Sequence, residues 1–336
     1  MIQEAIQALI AGADLDRQKA RAVMDQIMSG GATDAQIGAF LVALRIKGER
    51  VDEIVGCAEG MREKATPIET ARADLIDTCG TGGDGSGTFN ISTTVAFVAC
   101  GAGLAVAKHG NRSISSQCGS ADVLSEMGVN IEASPEQVGE CIDEVGIGFL
   151  FAVALHGAMR HAIGPRKELA TRTVFNVLGP LTNPAGARRQ LIGVYDGALT
   201  EKLAGVLNEL GSERAFVVHG SDGLDEITLT GPTKLSELNN GRVSTREICP
   251  EDFGLERVAA DALAGGDAAR NAEILQMVLD GKTGPQRDVV LLNAAAAIAA
   301  GGLAEDMATA INMARESIDS GKARQALDRL VEVSNA

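Results

Sequence analysis

The chain contains no run of about 20 uninterrupted apolar residues, so a membrane span is not expected. Its first residues, MIQEAIQALIAGADLDRQKA, are amphipathic and charged rather than a basic segment leading into an apolar one. Export is therefore not expected either. No CxxC pair occurs among the six cysteines, Cys57, Cys79, Cys100, Cys118, Cys141 and Cys249, most of which sit in apolar or helical runs. Reduced thiols in a cytoplasmic protein follow from that pattern. Low-complexity tracts and tandem repeats are also missing.

Basic residues are in the minority, 30 Lys and Arg against 45 Asp and Glu, for a net charge of −15 at pH 7. Such a chain repels nucleic acid on average, so an anionic ligand has to be captured by local cations. Residues 151–190 supply them: Arg160, Arg166, Lys167, Arg172, Arg188 and Arg189 stand against one acid, Glu168. An anionic ligand explains this island; a solvated charged face is the plainer alternative.

With 336 residues, 45% apolar and 22% charged, the chain can bury a large core, and two domains are expected. Three amphipathic helices are read near the start, with apolar positions Val23, Met24 and Ile27, then Ile37, Phe40, Leu41 and Leu44, then Val51, Ile54 and Val55. Thr33 and Gln36 have the spacing of a capping box. So short a helical segment cannot bury both faces alone, so residues 1–70 should form a small helical domain completed by later helices, roughly 168–190, or by another copy of the chain. Beyond Pro67 the pattern turns to short apolar runs at 75–77, 104–107, 129–131, 147–153, 190–195 and 215–219, alternating with helices. That alternation predicts an α/β domain over 71–336 with a mostly parallel sheet flanked by helices. The tail from 268 is helix-rich, and the small residues of 291–301 suit close packing deep in the fold.

Chemistry concentrates in the stretch DTCGTGGDGSGTFNIST at 77–93. Glycines there let backbone N–H groups converge on an anion, and a helix starting near Ser92 adds its positive end, so a phosphate is the expected guest. A second loop, KHGNRSISSQCGS at 108–120, carries two fixed cations and many small donors. Together the loops suggest a polyphosphate held from two sides. Gly80, Gly82 and Gly85 have GxGxxG spacing, but the next strand runs into Lys108 and His109 instead of the acid that a nicotinamide ribose needs. A Walker loop fails because no lysine follows the glycines. Asp84 facing a diphosphate would repel it unless a metal or a ribose hydroxyl intervenes. Asp225 and Glu226, just past the buried run 215–219, fit Mg²⁺, which takes one or two carboxylates with water and substrate phosphates. A solvated acidic turn is the alternative.

GTGGD at 80–84, NIST at 90–93, KHGNRS at 108–113, GPLTNP at 179–184 and LDE at 224–226 occur in the order and spacing that resemble the anthranilate phosphoribosyltransferases, over nearly the whole chain. The resemblance implies transfer of phosphoribosyl from 5-phosphoribosyl 1-diphosphate to the amine of anthranilate, in tryptophan biosynthesis, by a homodimer joined through the helical part, with no nucleic-acid or membrane partner. Carried over by motif, Gly80, Gly83, Asp84, Thr88, Asn90, Ile91, Ser92 and Thr93 would hold the donor, with Lys108, His109, Gly110, Asn111, Arg112, Ser113, Ile114, Ser115, Ser116 and Ser120. Ser92, Asp225 and Glu226 would ligate Mg²⁺; Gly80, Asn111 and Arg166 would contact anthranilate. An arginine opposite a benzoate carboxylate is the pairing its planar fork favours. Lys108 and His109 are the candidates for a direct catalytic part, His109 as a general base or as a residue that orders the loop. The chain departs from the family pattern at Gly157, where a proline is usual after His156, and at Phe151, Ala152 and Val153, where the family has FAP. Pyrimidine nucleoside phosphorylases share a related loop but lack KHGNRS together with LDE.

Overall fold

The computed structural model describes residues 1–113 and 117–336; three of the expected donor-binding residues, Ile114, Ser115 and Ser116, lie outside them. Four helices rather than three open the chain: α1 (Ile2–Ile10), α2 (Arg17–Met28), α3 (Asp34–Lys47) and α4 (Val51–Arg62). The added first helix buries Ile2, Ala5 and Leu9, one face at helical spacing. Thr33 and Gln36 do cap α3 reciprocally, at 3.3 and 3.0 Å, and every apolar position named for α2 and α3 is buried.

Strands β1 (Leu75–Gly80), β2 (Ala105–Gly110), β3 (Ile147–Phe151), β4 (Arg189–Gly193) and β5 (Arg214–Gly220) are parallel; β6 (Thr233–Asn239) and β7 (Arg242–Ile248) add an antiparallel edge. The seven-stranded order is β3-β2-β1-β4-β5-β6-β7. Between them run α5 (Ile91–Gly101), α6 (Ser120–Glu126), α7 (Pro135–Val145), α8 (Ala152–Leu155), α9 (Arg160–Leu169), α10 (Phe175–Leu178) and α11 (Leu199–Glu209), followed by α12 (Ala268–Leu279), α13 (Pro285–Ala300), α14 (Met307–Asp319) and α15 (Lys322–Ser334).

Two sequence expectations change. Residues 129–131 form no strand: Val129 and Ile131 are buried as a turn before α7, with Asn130 N–H held by Ser334 Oγ at 3.1 Å. The run 147–153 ends as a strand at Phe151, and Ala152 and Val153 enter α8.

One apolar cluster joins α5, α13, α14 and α15 to the sheet through Ile76, Val106, Leu191, Phe216 and Val218. A second joins Val23, Met24, Phe40 and Leu44 of the first helices to Ala162, Phe175 and Leu178, to Leu203 and Leu207 of α11, and to Ile192, Ala215 and Val217 of the sheet. The sheet is thus covered on both faces, as a parallel sheet requires. Helix α5, buried over most of its length, starts directly after the glycine loop, which aims its amino end at the carboxyl edge of the sheet.

Candidate active site

The chain runs β1, β2, β3 to one side of the sheet and then restarts with β4 on the other side of β1. Ligands gather outside the strand ends at such a switch point. Here Gly80 and Gly193 are paired across β1 and β4, and a Cβ at either would run into Asp225, into its carboxylate from Gly80 and its backbone carbonyl from Gly193. Both positions therefore need glycine for close approach. The Asp225 carboxylate in turn accepts from Gly82 N–H at 2.8 Å. Gly82 and Gly83 have φ of 65° and 74°, the left-handed backbone that folds this loop back over β1.

Burial first and Asp84 second push the Asp225 carboxyl far up from its ordinary value; burial first and Asp225 second do the same for Glu226. Lys108 and the Ser92 N–H act the other way on Glu226. Ser92, Asp225 and Glu226 thus share one spot, with Asp84 close by. Among the described residues no set of three or more His, Cys, Asp or Glu closes a metal cage unaided. An oxygen-only set of crowded carboxylates with few protein ligands fits Mg²⁺, which keeps waters and takes substrate phosphate oxygens.

Lys108 is 2% exposed. Its ammonium donates to the Thr78 carbonyl at 2.6 Å and lies 3.5 Å from Ser92 Oγ; burial lowers its pKa, against the pull of Asp77 and Glu226. Behind it the buried Asp77 carboxylate accepts from His109 N–H at 3.0 Å and from Asn183 Nδ2 at 2.8 Å. Asp77 thereby ties β1, β2 and the segment 179–184 into one support, a part its place inside a strand does not announce in sequence.

The two loops touch. Asn90 Nδ2 donates to the Cys118 carbonyl at 3.3 Å, and Asn271 Nδ2 donates to Asn90 Oδ1 at 2.9 Å. Thr88 pairs with Ala264, Ile91 is buried as the first residue of α5, and the Thr93 hydroxyl is buried without a partner among the described residues. On the second loop Asp122 gathers Arg112 Nη1 at 2.9 Å, Ser113 N–H at 3.1 Å and Gly119 N–H at 2.9 Å. Ser120 Oγ accepts from Asn111 N–H at 3.1 Å. Gly110 closes β2, where a Cβ would strike Ser120 Oγ.

His109 Nδ1 lies 3.2 Å from the Gly179 carbonyl and its Nε2 lies 3.2 Å from Nε2 of His156. A carbonyl only accepts, so His109 carries its proton on Nδ1 and His156 donates from Nε2. Burial, with His156 next, lowers His109 to about 3, and burial lowers His156 to about 4. Both rings are therefore neutral at pH 7, and both nitrogens of His109 are already engaged.

The basic island divides. Arg188 and Arg189 pair with Glu213 at 3.3 Å each, so these two serve the fold. Arg166, on α9, stands with its guanidinium 5.1 Å from the Phe175 ring centroid; burial lowers its pKa, and it has no acidic partner among the described residues. Arg172 lies 4.0 Å from the centroid of Tyr195 and donates to the Gly83 carbonyl. Tyr195, the one tyrosine of the chain, lies two residues past the end of β4, a position at a carboxyl strand end that marks it in sequence.

Residues 72–324 match the model of the glycosyl transferase family a/b domain and residues 3–65 that of the family's helical bundle domain. The chain is 56% identical over 331 residues to an anthranilate phosphoribosyltransferase of Moorella thermoacetica, covering 98% of each. Against the enzyme of that name from Geobacter sulfurreducens it is 55% identical over 349 residues, covering 100% of each. The crystal structure of an anthranilate phosphoribosyltransferase from Thermus thermophilus superposes with a TM-score of 0.94 at 44% identity, covering 99% of each chain. A Saccharomyces cerevisiae anthranilate phosphoribosyltransferase in complex with PRPP and Mg superposes at 0.90 with 28% identity, over 99% of this chain and 98% of that one.

Proposed function

The chain belongs to the anthranilate phosphoribosyltransferases, and on that premise we propose how its own residues carry the reaction. The enzyme transfers the phosphoribosyl group of 5-phosphoribosyl 1-diphosphate to the amine of anthranilate, releasing diphosphate, a pentosyl transfer in L-tryptophan biosynthesis. The amine lone pair attacks C1 of the ribose as the C–O bond to diphosphate breaks, through an oxocarbenium-like transition state, and the acidic arylammonium so formed gives its proton to water. Catalysis then rests on neutralising the leaving group and aligning the amine.

The donor lies between the two loops, with Gly80, Gly83, Asp84, Thr88 and Asn90 to Thr93 on one side and Lys108 to Ser113 and Ser120 on the other. Ser92, Asp225 and Glu226 hold Mg²⁺, which when bound supplies positive charge to the diphosphate oxygens. Lys108, fixed by Thr78 and little screened, brings its ammonium charge to the same place. Arg166 takes the anthranilate carboxylate, with Asn111 and Gly80 flanking, and so points the amine at the ribose. An aromatic amine is neutral at pH 7, and His109 orders the second loop rather than removing a proton.

The observation that carries this reading is the carboxylate pair of half-buried Asp225 and buried Glu226, set against the glycine loop and pushed toward protonation by desolvation and by neighbouring carboxylate charge. Mixing the protein with Mg²⁺, phosphoribosyl diphosphate and anthranilate should extinguish anthranilate fluorescence. The double variant Asp225→Asn, Glu226→Gln should need at least about tenfold more Mg²⁺ for half-maximal rate; an unchanged requirement would remove the pair from the metal site. Exposed Ile10 and Ile46, at 69% and 81%, support a homodimer through the helical part, which a one-chain sedimentation mass would refute. Six free cysteines suit a cytoplasmic enzyme.

A further inference from the structure

Arg172, like the exposed Arg160 and Lys167, has no acidic partner among the described residues and no part in the proposed acceptor pocket, but it alone of these three lies against an aromatic ring and the glycine loop. It lies three residues past the end of α9, just beyond Ala170, whose φ of 45° reverses the chain with a left-handed non-glycine residue. From there its guanidinium carbon lies over the Tyr195 ring, 4.0 Å from the centroid, and the group donates to the carbonyl of Gly83. Tyr195 is itself tied to the glycine loop: its N–H donates to Thr81 Oγ1 at 3.1 Å, and Thr81 N–H donates to the Gly193 carbonyl at 2.9 Å. The following residue, Thr173, is buried and anchored by its N–H to Asn176 Oδ1 at 2.9 Å.

The two ends of this contact belong to different substrates. Gly83 is in the donor loop, whereas Arg172 follows the reversal that ends α9, the helix that carries Arg166 and packs on α3 and α2. We infer that Tyr195, Arg172 and the Gly83 carbonyl form a latch through which binding of the phosphoribosyl donor presets the acceptor helix, so that each substrate tightens the other. Arg172 is on this view a positioning residue. Its planar fork lets one group rest over a ring and donate from its own N–H edge at once, which a lysine ammonium does less well. A donor that stiffens the glycine loop fixes the Gly83 carbonyl, and through Arg172 the last turn of α9; by linkage the acceptor returns the same factor.

The inference rests on the assignment of Arg166 to the acceptor carboxylate, and the test separates the two. Benzoate keeps that carboxylate but has no amine, so it binds without reacting. Calorimetry on the full chain should find benzoate bound at least about fivefold more tightly with saturating Mg²⁺ and phosphoribosyl diphosphate than without. Arg172→Met and Tyr195→Leu should bring this ratio to about one, Tyr195→Phe should keep it, and donor affinity measured alone should change little in all three. Because the chain has one tyrosine and no tryptophan, its intrinsic emission reports the latch directly. Donor alone should alter that emission in the wild type and leave it unchanged in Arg172→Met. A ratio of one in the wild type, or a ratio kept in Arg172→Met, overturns the latch, as does loss of donor binding itself in that variant, which would make Arg172 a donor ligand. If Arg166→Ala binds benzoate normally, the acceptor assignment fails, and the latch then stands or falls on the tyrosine emission.

Discussion

Two neutral imidazoles, His109 and His156, meet in the interior at 6% and 7% exposure, and their titration should be visible in stability. Their pKa values in the fold, about 3 and about 4, lie below the ordinary histidine value, so between roughly pH 6.5 and 4 the unfolded chain binds protons that the native one refuses. Stability from this source is complete above about pH 6.5 and drains as pH falls, by up to about 1.4 kcal/mol per pH unit for each ring. Asp225 and Glu226 work in the opposite sense, since their raised values make the fold lose stability as pH rises toward neutrality. The two slopes oppose each other in the wild type, so the difference between His109→Gln and wild type is the informative quantity. Urea midpoints from pH 7 to pH 4.5 should fall less steeply for the variant, and parallel curves would mean that the ring titrates alike in the folded and unfolded chain. Sequence alone placed His109 beside Lys108, but its partners, the Gly179 carbonyl and His156, are 70 and 47 residues away, so nothing local could show that its nitrogens are engaged.

At the level of elements, the glycine loop and the helix after it were legible because their signals are local: glycines, then an apolar run with no charge. The first helix was less so, since its short pattern merges into the polar turn before α2. Residues 129–131 read as a strand by apolarity, yet a buried turn uses the same residue types, and only the neighbouring α15 decides. The hairpin β6–β7 was passed over although Asn240 and Gly241, with φ of 46° and 83°, form the Asn-Gly pair that favours a two-residue turn. Its strand TKLSELN does not alternate, since Leu235 and Leu238 are three apart and serve the apolar clusters on opposite faces, and the outer strand RVSTREI is exposed at every position but the last and carries no apolar face to read. What no pattern could disclose is that Gly193, one glycine among 40, faces the backbone of Asp225. Gly193→Ala places a methyl against that carbonyl, and backbone cannot swing aside as a side chain can. The crevice between β4 and the Asp225 turn must open, with an expected loss of about 1–3 kcal/mol and a raised Mg²⁺ requirement. Wild-type melting and metal response in this variant would show that the turn yields freely.

For the whole molecule, the family models divide the chain at 65 and 72, and we propose the corresponding helical part, residues 1–70, as a unit of architecture rather than of stability. The apolar cluster of α2, α3 and α4 has no boundary there: it continues through Ala162, Phe175 and Leu178 into Leu203 and Leu207, and reaches the sheet at Ile192 and Val217. The sequence showed that the first helices needed cover from elsewhere, and named 168–190 for it, but could not show α11 and the sheet face, because their contribution depends on three-dimensional adjacency. The same limit explains the basic island, where Arg188 and Arg189 read as ligand binders until Glu213, more than 20 residues on, is folded against them. Helices that share a core unfold together. Far-UV circular dichroism, which weighs all the helices, and the emission of Tyr195, which sits past the carboxyl end of the central strand β4, should therefore trace one coincident urea transition. A segment of residues 1–66 made alone should be poorly helical and melt without cooperativity, since short helices deprived of their packing face are marginal in water. An early transition seen by dichroism but not by Tyr195, or a cooperative melt of the segment, would establish the helical part as self-sufficient and would break the link between its packing and the site.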